Sequence, residues 1–125
     1  MSMLVVILAL GAGALGAALR YAASTLIGRT GANLPLAVLL VNVVGSLVGG
    51  VVIGLAQSGA VSSDARLIVL SGFAGGLTTF STFSTETVQL ALIGRWRTAV
   101  GSVLANLLLG IAAAVVGFAL ACGFA

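Results

Sequence analysis

The run "GGLTTFSTFSTE", from Gly75 to Glu86, carries six hydroxyl residues, two phenylalanines and one glutamate. It lies in a chain of 125 residues of which 61% are hydrophobic and 6% are charged, with a mean hydropathy of +1.33. Such a composition is typical of membrane proteins and not of soluble globular domains. The polar run is therefore unusual, because the lipid around it supplies no hydrogen-bond partners.

Four apolar stretches are each long enough to cross a bilayer, which takes about 20 helical residues. They are continuous and do not alternate with period two, so they predict helices and not the strands of a barrel. No basic region precedes the first stretch, which is therefore expected to stay in the mature protein. The sequence predicts an all-α integral membrane protein with one four-helix domain over residues 1–125, its spans being Met3 to Leu19, Leu34 to Ala56, Leu67 to Leu92 and Thr98 to Phe124.

The connections between these spans are short, so consecutive helices are expected to be antiparallel neighbours with both termini on one side. Pro35 lies where the second helix would begin. Ser62 or Ser63 is expected to cap the third helix, with Asp64 in its first turn.

Glycines recur at a spacing that favours close helix contacts. The chain has 18 of them, and pairs such as Gly45 with Gly49 and Gly72 with Gly76 are four residues apart. This spacing lets helix backbones approach each other in lipid, where packing drives association. Four short helices enclose little space, so we expect an oligomer.

Most catalytic and metal-binding chemistry lacks its residues here. There is no histidine, Cys122 is the only cysteine, and Asp64 and Glu86 are the only acids. An enzyme, a zinc site and a haem site are therefore not expected. Four of the five arginines lie opposite the termini, which by the positive-inside rule places both termini outside. Their scatter at helix ends indicates interfacial anchoring and no nucleic-acid partner; they are Arg20, Arg29, Arg66, Arg95 and Arg97.

On a regular helix the polar run divides into two faces. Five of its six hydroxyls and Glu86 fall within an arc of about 160°, while Phe80 and Phe83 lie about 60° apart on the other side. Bonds from hydroxyls to carbonyls of their own helix account for one or two of these residues. Six hydroxyls ending in an ionisable group indicate a functional site.

The glycines before this run predict a break in the third helix. Gly75 and Gly76 are followed by Thr78 and Thr79, which compete with helical hydrogen bonds. An opening between Gly75 and Thr78 would free carbonyl groups in mid-membrane, where they must line a cavity or bind a ligand such as a cation. A glycine kink without an ion fits the pattern equally well.

Two asparagines, Asn42 and Asn106, lie deep within predicted spans. They either hydrogen-bond helix to helix or, beside Ser102 and the hydroxyl face, replace the water shell of a small anion. A set of neutral donors without lysine suits a strongly hydrated anion, and the edges of phenylalanine rings add partial positive charge.

Three stretches together resemble the signature segments of the Fluc or CrcB family of fluoride channels. They are "GALGAALRY" (Gly13 to Tyr21), "VNVVGS" (Val41 to Ser46) and "GGLTTFSTFSTE", and the resemblance covers the chain end to end. It implies a passive, fluoride-selective channel in the bacterial plasma membrane, built as an antiparallel, dual-topology dimer with two pores. It also implies that fluoride leaves the cytoplasm through these pores without energy coupling.

The same resemblance assigns roles to individual residues. Phe80 and Phe83 would line the ion path with Asn42, and Arg20 would lie near the aqueous vestibule. A structural Na⁺ at the dimer centre would be held by the backbone carbonyls of Gly75 and Thr78 from both subunits. The polar path on the third helix would consist of Ser81, Thr82 and Glu86.

The chain departs from the family pattern in two helices. Val38 stands where many members have threonine, four residues before the asparagine. On the fourth helix, where many members place tyrosine and serines, the polar positions are Ser102 and Asn106 with Gly110. We therefore include Ser102 and Asn106 in the predicted ion path.

Glu86 fits two interpretations, a neutral carboxyl in an anion channel or a proton-coupling carboxyl in an exporter. A fixed negative charge would repel an anion, so we expect this carboxyl to be protonated or hydrogen-bonded by a donor such as Thr82. A small multidrug exporter that couples proton entry to cation efflux also uses one membrane glutamate, although there it lies in the first helix.

A membrane subunit that only packs against partners is the third interpretation of the chain. The arginine bias also raises a heterodimer with a related subunit as an alternative to a homodimer.

Overall fold

The computed structural model describes residues 1–28 and 34–124, and within them it contains only helices and short connections. Three spans are continuous helices: α1 (Met3–Ile27), α2 (Leu36–Gln57) and α6 (Trp96–Phe124). The third span consists of α3 (Ser63–Leu67), a π-helical segment (Ile68–Ala74), α4 (Gly75–Leu77) and α5 (Phe80–Leu92). In this part of the chain four spans are long and apolar enough to cross a membrane, which confirms the predicted class.

The helix ends follow from local capping. The Ser62 hydroxyl accepts a hydrogen bond from the backbone N–H of Ala65 at 3.2 Å, and Asp64 lies in the first turn of α3, as predicted. Pro35 directly precedes α2. Helix α1 extends past the predicted end at Leu19 to Ile27, because nothing in that stretch breaks a helix. Arg29, used above for orientation, lies outside the described residues.

The closest helix pairs are two spans apart in the chain. Helix α1 packs along the first half of the third span, and α2 packs along α6. Ala9 faces Gly72 and Gly16 faces Phe73, while Gly50 faces Ala114. Contact positions advance together along both helices of each pair, so the pairs are parallel. Consecutive spans also touch, as predicted, but the more extensive contacts lie within the two parallel pairs.

Glycines decide which helices become close neighbours. A Cβ atom at Gly76 would collide with the carbonyl oxygen of Gly13, and one at Gly50 with the carbonyl oxygen of Ala114. Only the absent side chain allows these backbones to meet. The predicted small-residue packing is confirmed at these positions. At Gly49, an added Cβ would meet only the Leu70 side chain, at 3.8 Å.

The third span breaks at Thr78 and Thr79. Both residues are extended, with φ −77° and ψ 158° at Thr78 and φ −148° and ψ 120° at Thr79. The predicted break is confirmed, although Gly75 itself is still helical. Thr79 is the N-cap of α5, because its hydroxyl accepts a hydrogen bond from the backbone N–H of Thr82 at 3.1 Å.

We predict that Gly50→Ala destabilises the protein by about 2 kcal/mol, since the new methyl group forces α2 away from α6. The melting temperature in detergent should fall clearly below that of the wild type. Gly49→Ala is the matched control at the preceding residue of the same helix and should melt close to wild type. Equal melting temperatures for the two variants would contradict this account of the α2–α6 contact.

Candidate functional site

The side chain of Asn42 forms hydrogen bonds with the backbone at the break in the third span. Its Oδ1 accepts a hydrogen bond from the backbone N–H of Thr79 at 2.9 Å. Its Nδ2 donates to the backbone carbonyl of the same residue at 3.3 Å. One amide on α2 thus pairs with both backbone groups of Thr79, the extended residue that precedes α5. Both backbone groups of Thr79 therefore have partners inside the protein, as a membrane-embedded backbone requires.

Asn106 extends this connection to the last span. Its Oδ1 accepts a hydrogen bond from Asn42 Nδ2 at 3.0 Å, and its own Nδ2 donates to the carbonyl of Ser102 at 2.9 Å. The two predicted asparagines therefore meet, across 64 positions of sequence. They link α2, α6 and the start of α5 in one network, and Ser102 is almost fully buried beneath it.

An open depression of about 460 Å³ lies over this network. Phe80 and Phe83 form one wall, with ring centroids 6.0 Å apart and planes inclined at 48°. The Phe80 side chain is 81% exposed. All of the described residues that line the depression are neutral: Asn42, Ser46, Thr78, Thr79, Phe80, Phe83, Val103, Asn106 and Leu107. Among them, amides, hydroxyls and aromatic rings meet without a titratable group.

The hydroxyls of the polar run do not all face this depression. The Thr79 hydroxyl forms hydrogen bonds with those of Ser81, at 3.3 Å, and Thr82, at 3.1 Å, which makes a cluster at the start of α5. Thr78 and Ser84 donate to carbonyls four residues earlier in the chain, as predicted for one or two members. Ser81 and Thr82 lie outside the residues lining the depression, whereas Thr78 and Thr79 line it together with the two phenylalanines, so the break brings part of the predicted hydroxyl face to the aromatic side.

Glu86 lies in a second, smaller depression of about 160 Å³ beside the ends of α1 and α2. Val38 and Pro35 line the same space. The Glu86 Oε2 atom is buried and has no hydrogen-bond partner among the described residues. The Thr82 hydroxyl accepts a bond from that of Thr79, and the expected bond between Thr82 and Glu86 is not found among the described residues.

Two carbonyl groups at the break have lost their usual helical donors. In a continuous helix the carbonyl of Gly75 would accept from the N–H of Thr79, and that of Thr78 from the N–H of Thr82. The first N–H donates to Asn42 and the second to the Thr79 hydroxyl. Carbonyl oxygens released in this way fit a hard cation such as Na⁺, which prefers oxygen ligands.

One predicted residue does not line the depression, and one residue that lines it was not predicted. Arg20 is half-buried on α1 and is not among the residues lining it. Ser46 lines it, one helical turn after Asn42, but was missed from the sequence. Its place in a small-residue repeat favoured a packing role, although the spacing of four from Asn42 puts both residues on one helix face.

Comparison with known proteins identifies the family. The family model described as "CrcB-like protein, Camphor Resistance (CrcB)" matches residues 6–118. A relative from a Roseiflexus species, named "Fluoride-specific ion channel FluC", is 44% identical over 115 residues, which cover 90% of this chain and 92% of the relative.

Two further relatives carry the same name. The protein from Shewanella frigidimarina is 42% identical over 106 residues, covering 84% of this chain and 85% of the relative. The one from Thermus thermophilus is 40% identical over 109 residues, covering 86% of this chain and 87% of the relative. With four spans, a broken third helix and these matches over most of its length, the chain belongs to the CrcB family of membrane proteins.

Proposed function

We propose that this protein is a passive, fluoride-selective ion channel that lets cytoplasmic fluoride leave a bacterial cell across its plasma membrane. The observation that carries the proposal is the neutral depression at the helix break, where Asn42 and Asn106 meet the rings of Phe80 and Phe83. The name shared by the three relatives supports fluoride as the ion.

The chemistry of the depression suits a small anion. Fluoride is strongly hydrated, so a path through the membrane must replace its water shell with hydrogen-bond donors. Amide and hydroxyl groups supply such donors, and the positive edges of aromatic rings add a weaker attraction. No fixed positive charge lines the depression within residues 1–28 and 34–124, so an entering anion is not held too tightly to leave. Fluoride trapped inside a cell with a negative interior then flows out without energy coupling.

We propose an antiparallel, dual-topology dimer as the working assembly. The Phe80 ring is 81% exposed, and in such a dimer a second subunit would cover it and complete each ion path. The freed carbonyls of Gly75 and Thr78 from two subunits would hold a structural Na⁺ at the dimer centre. Ser81, Thr82 and Glu86 would form a polar route on α5, with Arg20 near the vestibule. A heterodimer with a subunit of opposite arginine bias is the alternative assembly.

The exporter alternative is less consistent with this arrangement. Its glutamate would have to lie among aromatic residues that hold an organic cation. Here Phe80 and Phe83 line the depression with the asparagines, whereas Glu86 lines the other one, next to Val38 and Pro35.

The test is fluoride efflux from liposomes containing the purified chain, measured with a fluoride electrode. Rapid fluoride release with negligible chloride release from matched vesicles is the expected result. Folded protein that releases no fluoride, alone or together with a homologue of opposite arginine bias, would reject the proposal.

We predict that Glu86→Gln keeps substantial fluoride efflux. The Glu86 Oε2 atom accepts no hydrogen bond from a described residue, so the neutral amide, which has the same shape, removes no observed contact. Efflux should stay within about threefold of wild type, which corresponds to less than ~1 kcal/mol. Complete loss of efflux in a variant that melts like wild type would show that this carboxyl must ionise.

We also predict that sodium stabilises the purified protein. A cation bound by carbonyls of the folded assembly has no equivalent site in the unfolded chain, so binding raises the melting temperature. The protein should melt several degrees higher in sodium chloride than in N-methylglucamine chloride at equal ionic strength. Identical melting temperatures in the two salts would argue against the sodium site.

A further inference from the structure

The orientation of the Asn42 side chain is fixed by what surrounds it. The backbone N–H and the backbone carbonyl of Thr79 both lie within hydrogen-bond distance of the amide, at 2.9 Å and 3.3 Å. Turning the amide over would set donor against donor and acceptor against acceptor. Oδ1 must therefore face the N–H, and Nδ2 must face the carbonyl.

In this orientation Asn42 has no donor left for an anion. A side-chain amide carries two N–H groups. One donates to the Thr79 carbonyl and the other to Asn106 Oδ1, at 3.0 Å. Asn42 lines the depression, but both of its N–H groups are used within the protein.

Two other groups in the depression have donors to spare. The Asn106 amide donates one N–H to Ser102 and has no described acceptor for the second. The Ser46 hydroxyl donates to none of the described residues, unlike those of Thr78 and Ser84, which bond back to carbonyls of the chain. Both Ser46 and Asn106 line the depression beside the phenylalanines.

We infer that the Ser46 hydroxyl and the second amide N–H of Asn106 are the groups of this depression that bind the anion, and that Asn42 is a positioning residue. Asn42 acts through Thr79, whose position starts α5 and so places Phe80 and Phe83 against the donors. The inference rests on the proposed fluoride conduction and adds a binding residue to it.

The position of Ser46 agrees with this role. It follows Asn42 by one helical turn of α2, and its hydroxyl oxygen would lie 3.5 Å from a Cβ placed on Gly110 of α6. Gly110 itself follows Asn106 by one turn. The two donors therefore lie on facing helices, and an anion between them would contact both sides of the α2–α6 groove.

The deciding variant is Ser46→Ala, which removes one oxygen atom that bonds to no described residue. Fluoride efflux at low fluoride should fall about tenfold, as for a lost hydrogen bond to a charged partner. The fluoride concentration giving half-maximal efflux should rise, and the melting temperature should stay at the wild-type value. Ser84→Ala is the matched control, because its hydroxyl donates to the Phe80 carbonyl and does not line the depression; it should conduct like wild type.

Asn42→Ala separates positioning from binding. It leaves the Thr79 N–H without its partner in the membrane and removes one donor from the Thr79 carbonyl, so the melting temperature should fall together with efflux. Ser46→Cys, with similar volume and a weaker donor, should conduct between Ser46→Ala and wild type.

Three outcomes are distinguishable. Wild-type protein without fluoride efflux in any assembly would reject the proposed function itself. Wild-type efflux with an unchanged Ser46→Ala variant would overturn this inference alone, and so would an Asn42→Ala variant that melts like wild type. Reduced efflux in Ser46→Ala at an unchanged melting temperature, with normal Ser84→Ala, would support it.

Discussion

The fold depends on one constraint, that a backbone opened inside a membrane must find its hydrogen-bond partners within the protein. The third span leaves helical geometry at Thr78 and Thr79. Asn42 pairs with both backbone groups of Thr79, and Asn106 in turn supports Asn42. Three spans are thereby joined at one point, and the polar residues that a lipid environment would penalise become the connection between them.

The contact between Asn42 and Asn106 depends on close packing of the helices. Glycines let α2 approach α6 and let α1 approach the first half of the third span, with backbone against backbone. An asparagine side chain is short, so the contact between Asn42 and Asn106 requires helices as close as glycine allows. The depression of about 460 Å³ over the break lies beside this contact, and Asn42 and Asn106 both line it.

The neutrality of that depression has a functional meaning. A charged lining would either repel an anion or hold it, whereas amides, a hydroxyl and ring edges give many weak attractions. Glu86, which ends the polar run in the sequence, lines a different space beside α1 and α2. The separation keeps the one acid of the third span's second half away from the neutral donors at the break.

The sequence by itself determined the membrane class, the four spans and the broken third helix. These features depend on composition and on spacing along one helix, which are local properties. Tertiary structure decided which helices pair, because backbone approach depends on glycines matched across two distant segments. It also decided that Asn42 meets Thr79 and Asn106, while the Ser46 hydroxyl donates to no residue that the structure describes. A single asparagine in a sequence carries no record of which partners will use its two N–H groups, since those partners come from other helices.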